Sequence, residues 1–403
     1  MPSTAAAATL AFAAFGAFWG AWGASIPGFR VQAGLDHAGL GVALLFVGAG
    51  ALPAMLLTGR AIDRWGLRVA AVAIAALGLV GAGAVLLAKD LVSASLALAL
   101  IGVTSGAADV AINSVAGRAE REAGRPFITR VHGVFSSFVV VASLGTGLLT
   151  SAGAPVVTPF VVVAVAALLA AALMARVLPA RPGAAVPARP ISTGNVDARL
   201  PALPTLSLIG LGLLGALAFA SENAHQSWSA VFATDALGAS PAVGTLAPAV
   251  FAGTAAITRF STGHISATYA RPTIAAGATA AAAGAVVIAF GPNLAVSALG
   301  IALAAAGTAV LFPMILSVVS SRVDEANRGR ATSTASTVAY LGFLLGPSYV
   351  GFWSDAVGLR GAMLAVACLG ALLLLLTPLV TPGSRSAAGA GRDRPARRSA
   401  TSG

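Results

Sequence analysis

The sequence predicts an all-α membrane protein with twelve transmembrane helices in two pseudo-symmetric six-helix bundles. Three observations carry that prediction. Eleven stretches of roughly twenty apolar residues, and a twelfth interrupted by polar residues, are each long enough for a hydrocarbon core of about 30 Å. The loops between them place Lys and Arg almost entirely on alternate sides. A Pro-rich polar segment divides the 403 residues near the middle.

The spans fall near 5–27, 38–58, 69–88, 92–117, 131–151, 155–177, 204–232, 241–258, 272–291, 293–320, 331–354 and 358–381. Span 1 lacks a basic segment before its apolar run, so it reads as a retained helix and not a cleaved signal. Span 2 ends at Arg60, Arg64 and Arg68, span 4 at Arg118 to Arg130, span 6 at Arg176, span 8 at Arg259 and span 10 at Arg322 to Arg330. Span 9 begins after Arg271, span 7 is the polar-interrupted one, and span 11 carries Gly342, Gly346, Pro347 and Gly351, which suit close helix packing or a bend. Span 12 contains Cys368, the sole cysteine, expected to pack in the interior and unable to form a disulfide within one chain.

With the N-terminus inside, 21 of the 24 Lys and Arg are cytoplasmic and only Arg30, Lys89 and Arg360 lie outside. The reverse orientation would invert the positive-inside bias. Composition agrees: 58% hydrophobic residues, 9% charged residues and a mean hydropathy of +0.90 exclude a soluble globule, whose charged share is near a quarter. The net charge of +11 therefore points to anionic lipid headgroups as a partner and not to nucleic acid.

Organisation follows from the breaks. Residues 1–178 and 204–381 are the two bundles, 179–203 a cytoplasmic linker, and 382–403 a basic tail too poor in apolar residues to order itself. The halves look duplicated in parallel. Ile112-Asn113-Ser114-Val115 matches Ile315-Leu316-Ser317-Val318, and Gly59 is matched by Gly263 at nearly the same offset. Such an arrangement places a substrate site between the halves near the membrane midplane, although chance similarity in Ala-rich text competes.

The most specific motif is Gly59-Arg60-Ala61-Ile62-Asp63-Arg64-Trp65-Gly66-Leu67-Arg68, which fits G-x-x-x-D-R-x-G-x-R between spans 2 and 3. Its glycines permit a tight reversal, Asp63 suits the positive end of a helix, and Arg64 and Arg68 can pair with acids. An ordinary basic loop is the alternative.

On these residues the chain resembles the major facilitator superfamily over residues 5–381. The resemblance implies two six-helix bundles that rock around a central site. Trp22-Gly23-Ala24-Ser25-Ile26-Pro27, Asp109-Val110-Ala111-Ile112-Asn113, Arg130-Val131-His132-Gly133-Val134-Phe135-Ser136, Trp228-Ser229-Ala230 and Tyr340-Leu341-Gly342-Phe343-Leu344-Leu345-Gly346-Pro347 resemble the fucose-permease-related, YbjJ-like branch. Two departures stand out. Ala267 occupies the place of Asp63 in the second half, so an ionic latch would be one-sided. In span 7, Glu222-Asn223-Ala224 is followed by Ser227-Trp228 where the branch has an acid before the Trp.

Ionisable residues inside spans are expensive in hydrocarbon and tend to face a cavity or a partner. Asp109 lies nine residues before Arg118, about 13 Å along a helix, and Asn113 shares its face, so the pair can hold a polar solute or clasp two helices. Glu222 and His225 share a face of span 7 with Gln226 and Trp228 nearby, which suits proton uptake and release, or a wet bend near the outer end. Glu222 is the only glutamate within a predicted span. Trp19 and Trp22 can stack on a sugar-like ring or pack at the interface. His132 suits a gate or packing position.

Metal, cofactor and enzyme readings find no H-E-x-x-H, Cys/His cluster or phosphate loop in the sequence. The expectation is therefore a monomeric secondary transporter in a bacterial inner membrane, moving a small solute such as a sugar with protons. A drug-type proton antiporter is the alternative in the same fold, and a non-transporting membrane sensor or scaffold the alternative from another class.

Overall fold

The computed structural model describes residues 3–124, 127–179, 205–262, 265–323 and 325–380. The linker, the tail and Gly263 lie outside the described residues, apart from Pro179. Every element described is helical. The first half comprises α1 (Thr4–Gln32), α2 (His37–Trp65), α3 (Val69–Leu87), α4 (Leu91–Ala123), α5 (Ile128–Ser151) and α6 (Thr158–Val177). The second comprises α7 (Thr205–Val231), extended by a π turn at Phe232–Ala236, then α8 (Pro241–Thr262), α9 (Ala270–Phe290), α10 (Leu294–Ser321), α11 (325–357) and α12 (359–380).

Among the described residues eleven helices are long and apolar enough to cross a membrane, and the last of these, Arg330–Pro378, counts α11 and α12 together. They are separated at Gly358, whose φ of 74° and ψ of 168° suit a residue without Cβ. The expected loop at 355–357 is therefore helical, and the chain reverses at this one glycine. Other ends are set by polar caps: Asp36 accepts from Gly39 N at 2.7 Å, Asn293 from Val296 N at 3.0 Å, and Asp90 and Ser93 form a reciprocal capping box. Several helices overrun the predicted spans by a turn or more, because capped ends satisfy their backbone groups outside the apolar zone.

Within the halves the same pairings recur. α1 packs on α5 as α7 packs on α11, α2 on α4 as α8 on α10, and α3 on α4 and α6 as α9 on α10 and α12. Ile112–Val115 and Ile315–Val318 occupy corresponding stretches of α4 and α10. Leu56, Val72, Leu148 and Leu375 point outward and are exposed, as lipid-facing side chains are. Lipid removes the hydrophobic drive between helices, so close backbone approach has to hold them. A Cβ on Gly16 or Gly20 would run into Phe135 or Val139 of α5, and one on Gly342 into the carbonyl of Ala216 in α7.

Cys368 corrects an expectation: it is exposed, not interior. α12 sits at the rim of its bundle, and apolar character alone does not distinguish its lipid face from its packed face.

The halves meet most extensively through two symmetry-related pairs, α2 with α11 and α5 with α8, and α1 also touches α7 and α8. Toward the end of the bundle bearing Arg30, Lys89 and Arg360, Gly41 lies against Gly351, Ser348 Oγ donates to Gly41 O at 2.9 Å, and Gly147 lies against Thr245. At the basic end, Gly133 of α5 lies under the ring of Phe260 in α8.

Candidate functional site

A cavity of about 490 Å³ lies between the bundles, lined by α1, α2, α4 and α5 from one half and α7, α8 and α11 from the other. Its lining reaches Thr129, His132 and Phe260 toward the basic end and Ile26 on the other side. Aromatic rings dominate, including Trp19, Trp22, Phe219, Phe251, Tyr340 and Phe343.

Glu222 enters the cavity from α7 and is buried, at 8% exposure. Its Oε1 accepts from Arg259 Nη2 at 2.6 Å and from Gln226 Nε2 at 3.3 Å. Gln226, one turn along α7, shares that face and lines the cavity. Arg259 is a functional candidate that sequence reasoning misses. Its position groups it with the loop arginines, but α8 continues to Thr262 and carries its side chain into the cavity. Its adjacency to an apolar run is the available signal, and a charge at a span edge fits either place.

His225 does not share the face of Glu222. It is buried, its Nδ1 lies 2.7 Å from Ser221 O, and its ring stacks near Phe251 of α8 at 6.3 Å and 13°. Three residues advance an α-helix by less than one turn, and here the difference separates the cavity face from the α8 packing face. Trp228 also turns away. It is fully buried, donates from Nε1 to Pro347 O at 3.0 Å, and meets the ring of His37 edge-on at 6.0 Å. It ties α7 to α11 and to the first half and does not line the large cavity.

Asp109 lines the cavity from α4 and is half-buried. Asn113 Nδ2 donates to its Oδ1 at 3.2 Å and to its backbone carbonyl at 2.9 Å. Asn113 is not part of the lining, so it orients Asp109 from behind. Trp19 and Trp22 both line the cavity. Trp22 is held edge-on by Phe29 and Phe160, and Trp19 by Phe15 and Phe18, so both rings are fixed before any solute arrives. His132 lines the basic side and packs on Phe12 at 4.9 Å. Asn223 Nδ2 donates to Phe343 O at 2.6 Å, which joins α7 to α11 beside the lining Tyr340.

On the side away from the basic end the halves are clamped by charge. Asp235, in the π turn after α7, accepts from Arg30 Nη2 at 2.5 Å, pairs with His37 Nε2 at 3.0 Å, and takes Thr234 Oγ1 at 2.8 Å on its other oxygen. Arg30 also donates to Leu35 O at 3.0 Å. From sequence alone Arg30 is a topology charge and nothing more.

The loop motif lies away from the cavity. Gly66 ends α2 with φ 77°, and Arg68 Nε donates to Leu178 O at 2.8 Å, capping α6. Gly59 has open space around its Cβ position, Asp63 and Arg64 are exposed, and the Arg64 guanidinium lies 5.7 Å from the Trp65 ring. Asp63 sits in the last turn of α2, the negative end of its own helix, so a positive helix end must come to it from another element.

Residues 211–402 match the family model of the Major Facilitator Superfamily. An uncharacterised MFS-type transporter of Yersinia pestis is 28% identical over 354 residues, covering 87% of this chain and 88% of its own. Among solved structures, a mutant form of the nucleoside transporter NupG superposes with TM-score 0.75 at 14% identity, covering 94% of this chain and all of its own. A D-xylose–proton symporter superposes with TM-score 0.70 at 16% identity, over 94% and 98%. The family model covers just under half of this chain, the curated relatives are named as membrane transporters, and the solved structures share its all-helical two-bundle fold.

Proposed function

We propose that the chain moves a small hydroxylated ring compound, sugar-like or nucleoside-like, across a bacterial inner membrane by alternating access coupled to protons. The observation that carries this reading is one aromatic-walled cavity between two bundles, with a carboxylate on each side and a single Arg–Glu pair inside it. Rigid aromatic faces suit a ring, and Ser105, Gln226, Ser227 and Asn223 suit hydroxyls. Two of the fold neighbours are named for substrates of this class, a nucleoside and D-xylose with a proton, and another is named for organic anions.

The clamp at Asp235 closes one end of the cavity in this state. With 1–178 and 204–381 as the two bundles and both termini cytoplasmic, the closed end is the outer one and the cavity serves the inside. Opening the outer end requires α2 to part from α11 and α5 from α8, the pairs through which the halves meet most extensively.

Glu222 is the coupling group. In this state its charge is held against Arg259 and Gln226. When α8 shifts relative to α7 the pair separates, and an uncompensated carboxylate in a cavity of low dielectric takes a proton. His225, packed on Phe251, has no part in that step. The membrane surface supplies anionic headgroups to the basic loops, and one chain is the working unit.

Proteoliposomes loaded with a sugar and nucleoside panel under an imposed pH difference test the reading. Wild-type protein accumulates a member of the panel. Glu222→Gln exchanges it but does not accumulate it. Accumulation by Glu222→Gln at the wild-type level removes Glu222 from the coupling step. Proton-driven export of dyes, with no member of the panel accumulated, favours the drug-type antiporter.

A further inference from the structure

We infer that the transported ring compound carries a protonated amine, and that Asp109 receives it. The inference rests on reading the cavity as the solute site and adds the chemical class of the solute.

The ionisable groups lining the cavity are Asp109 on α4, His132 on α5, Glu222 on α7, Arg259 on α8 and Tyr340 on α11. Arg259, the cationic side chain among the described lining residues, is engaged by Glu222 at 2.6 Å, and Gln226 completes that oxygen. The pair is therefore internally compensated. Asp109 is different. Among the described residues its side-chain partner is Asn113, a neutral amide on its own helix that can orient the carboxylate but not balance it.

A carboxylate facing a space of low dielectric without a counter-charge is costly to maintain, and what enters that space decides the balance. An anionic solute adds a like charge. A neutral solute leaves the charge as it was. A cation completes it, and an aromatic face turned to that volume attracts the same ligand; Trp19, Trp22, Tyr340 and Phe343 line it. Trp is the strongest of these platforms, and both Trp rings are held in place by edge contacts with neighbouring Phe side chains. Along α7, Gln226 spends one amide hydrogen on Glu222 and keeps its oxygen for a ring hydroxyl, and Ser227 Oγ, which donates to Asn223 Oδ1, can still accept one. The combination describes an amino sugar or an amino-substituted cyclitol. A proton and an ammonium compete for Asp109, so the two cannot share it at one time.

The test uses the purified full-length chain in lipid nanodiscs at about pH 6.5, where aliphatic amines are cationic. Binding of glucosamine, N-acetylglucosamine, glucose and glucuronate is measured for wild type, Asp109→Asn and Asp109→Glu. Glucosamine is expected to bind at least about tenfold more tightly than its neutral N-acetyl form. In Asp109→Asn the ratio between those two falls to about one, and in Asp109→Glu, which keeps the charge, most of it persists. Equal or better binding of N-acetylglucosamine, glucose or glucuronate by wild type overturns the inference, as does a ratio that survives Asp109→Asn. Neutral sugars that bind without any amine preference leave the transporter reading standing and remove only the amine. Binding of none of the four overturns the ring-solute reading, and this inference with it.

Discussion

Removing the carboxylate of Asp235 should open the closed end of the cavity. Asp235 on the second half holds Arg30 at 2.5 Å and His37 at 3.0 Å, both from the first half, with side chains of Arg30 and Asp235 only 18% and 21% exposed. A fully exposed pair is worth about 0–1 kcal/mol and breaking a fully buried one costs about 3–5 kcal/mol. This half-buried cluster falls between, at about 1–3 kcal/mol, which corresponds to about five- to 150-fold in the balance between closed and open states. The contact exists only when this end is closed, so its loss acts on that balance and not on folding. Gly23 lines the cavity, and an added Cβ there meets nothing nearer than Pro248 Cβ at 3.6 Å, so Gly23→Cys is tolerated. In a Cys368→Ser background, a membrane-impermeant thiol reagent applied from the Lys89 face should label Gly23→Cys slowly. Asp235→Asn should raise the rate about tenfold, Arg30→Gln should do the same, and the two together should add little more. An unchanged rate in Asp235→Asn, in protein that still elutes as a folded species, would refute the latch.

Gly342→Val should cost at least about 1–3 kcal/mol and lower detergent-solubilised thermal stability, because its side chain meets the Ala216 carbonyl. Gly83→Ala, with open space around it, should be neutral or slightly stabilising by about 1 kcal/mol or less. Reporter fusions after Gly66, at Gly194 and at the C-terminus should read cytoplasm, and one near Lys89 the outside; an outside signal at Gly194 removes the six-plus-six arrangement. Asp63→Asn should reduce transport severalfold while insertion stays normal, as measured by uptake against membrane protein level, and normal uptake would leave Asp63 with a role in topology alone.

The helices were legible because hydrocarbon imposes one demand at every position: a run of about twenty apolar residues with its backbone bonded internally. Of the two matches between the halves, Ile112–Val115 with Ile315–Val318 falls on corresponding stretches of α4 and α10, while Gly263 and the central break lie outside the described residues. Gly358 shows the limit. The stretch from Asp355 to Val357 looked like a loop, but a short reversal needs only one residue with positive φ, and the helix runs on to it.

Glu222, Asp109, Trp19, Trp22 and Gln226 were found as polar or amphipathic residues in apolar text, and the cavity collects them. His225, Trp228 and Asn113 belong to the same stretches of sequence but face Phe251, Pro347 and the back of Asp109. Arg259 and Arg30 looked like topology charges, yet one meets Glu222 and the other Asp235 across distances of 37 and 205 residues in the chain. Sequence determined which segments cross the membrane and which residues are too polar to face lipid. Only the tertiary structure decided which of them share a cavity, because the rotation of each helix is set by where small residues let a neighbour approach, and a shift of one residue turns a side chain by about 100°.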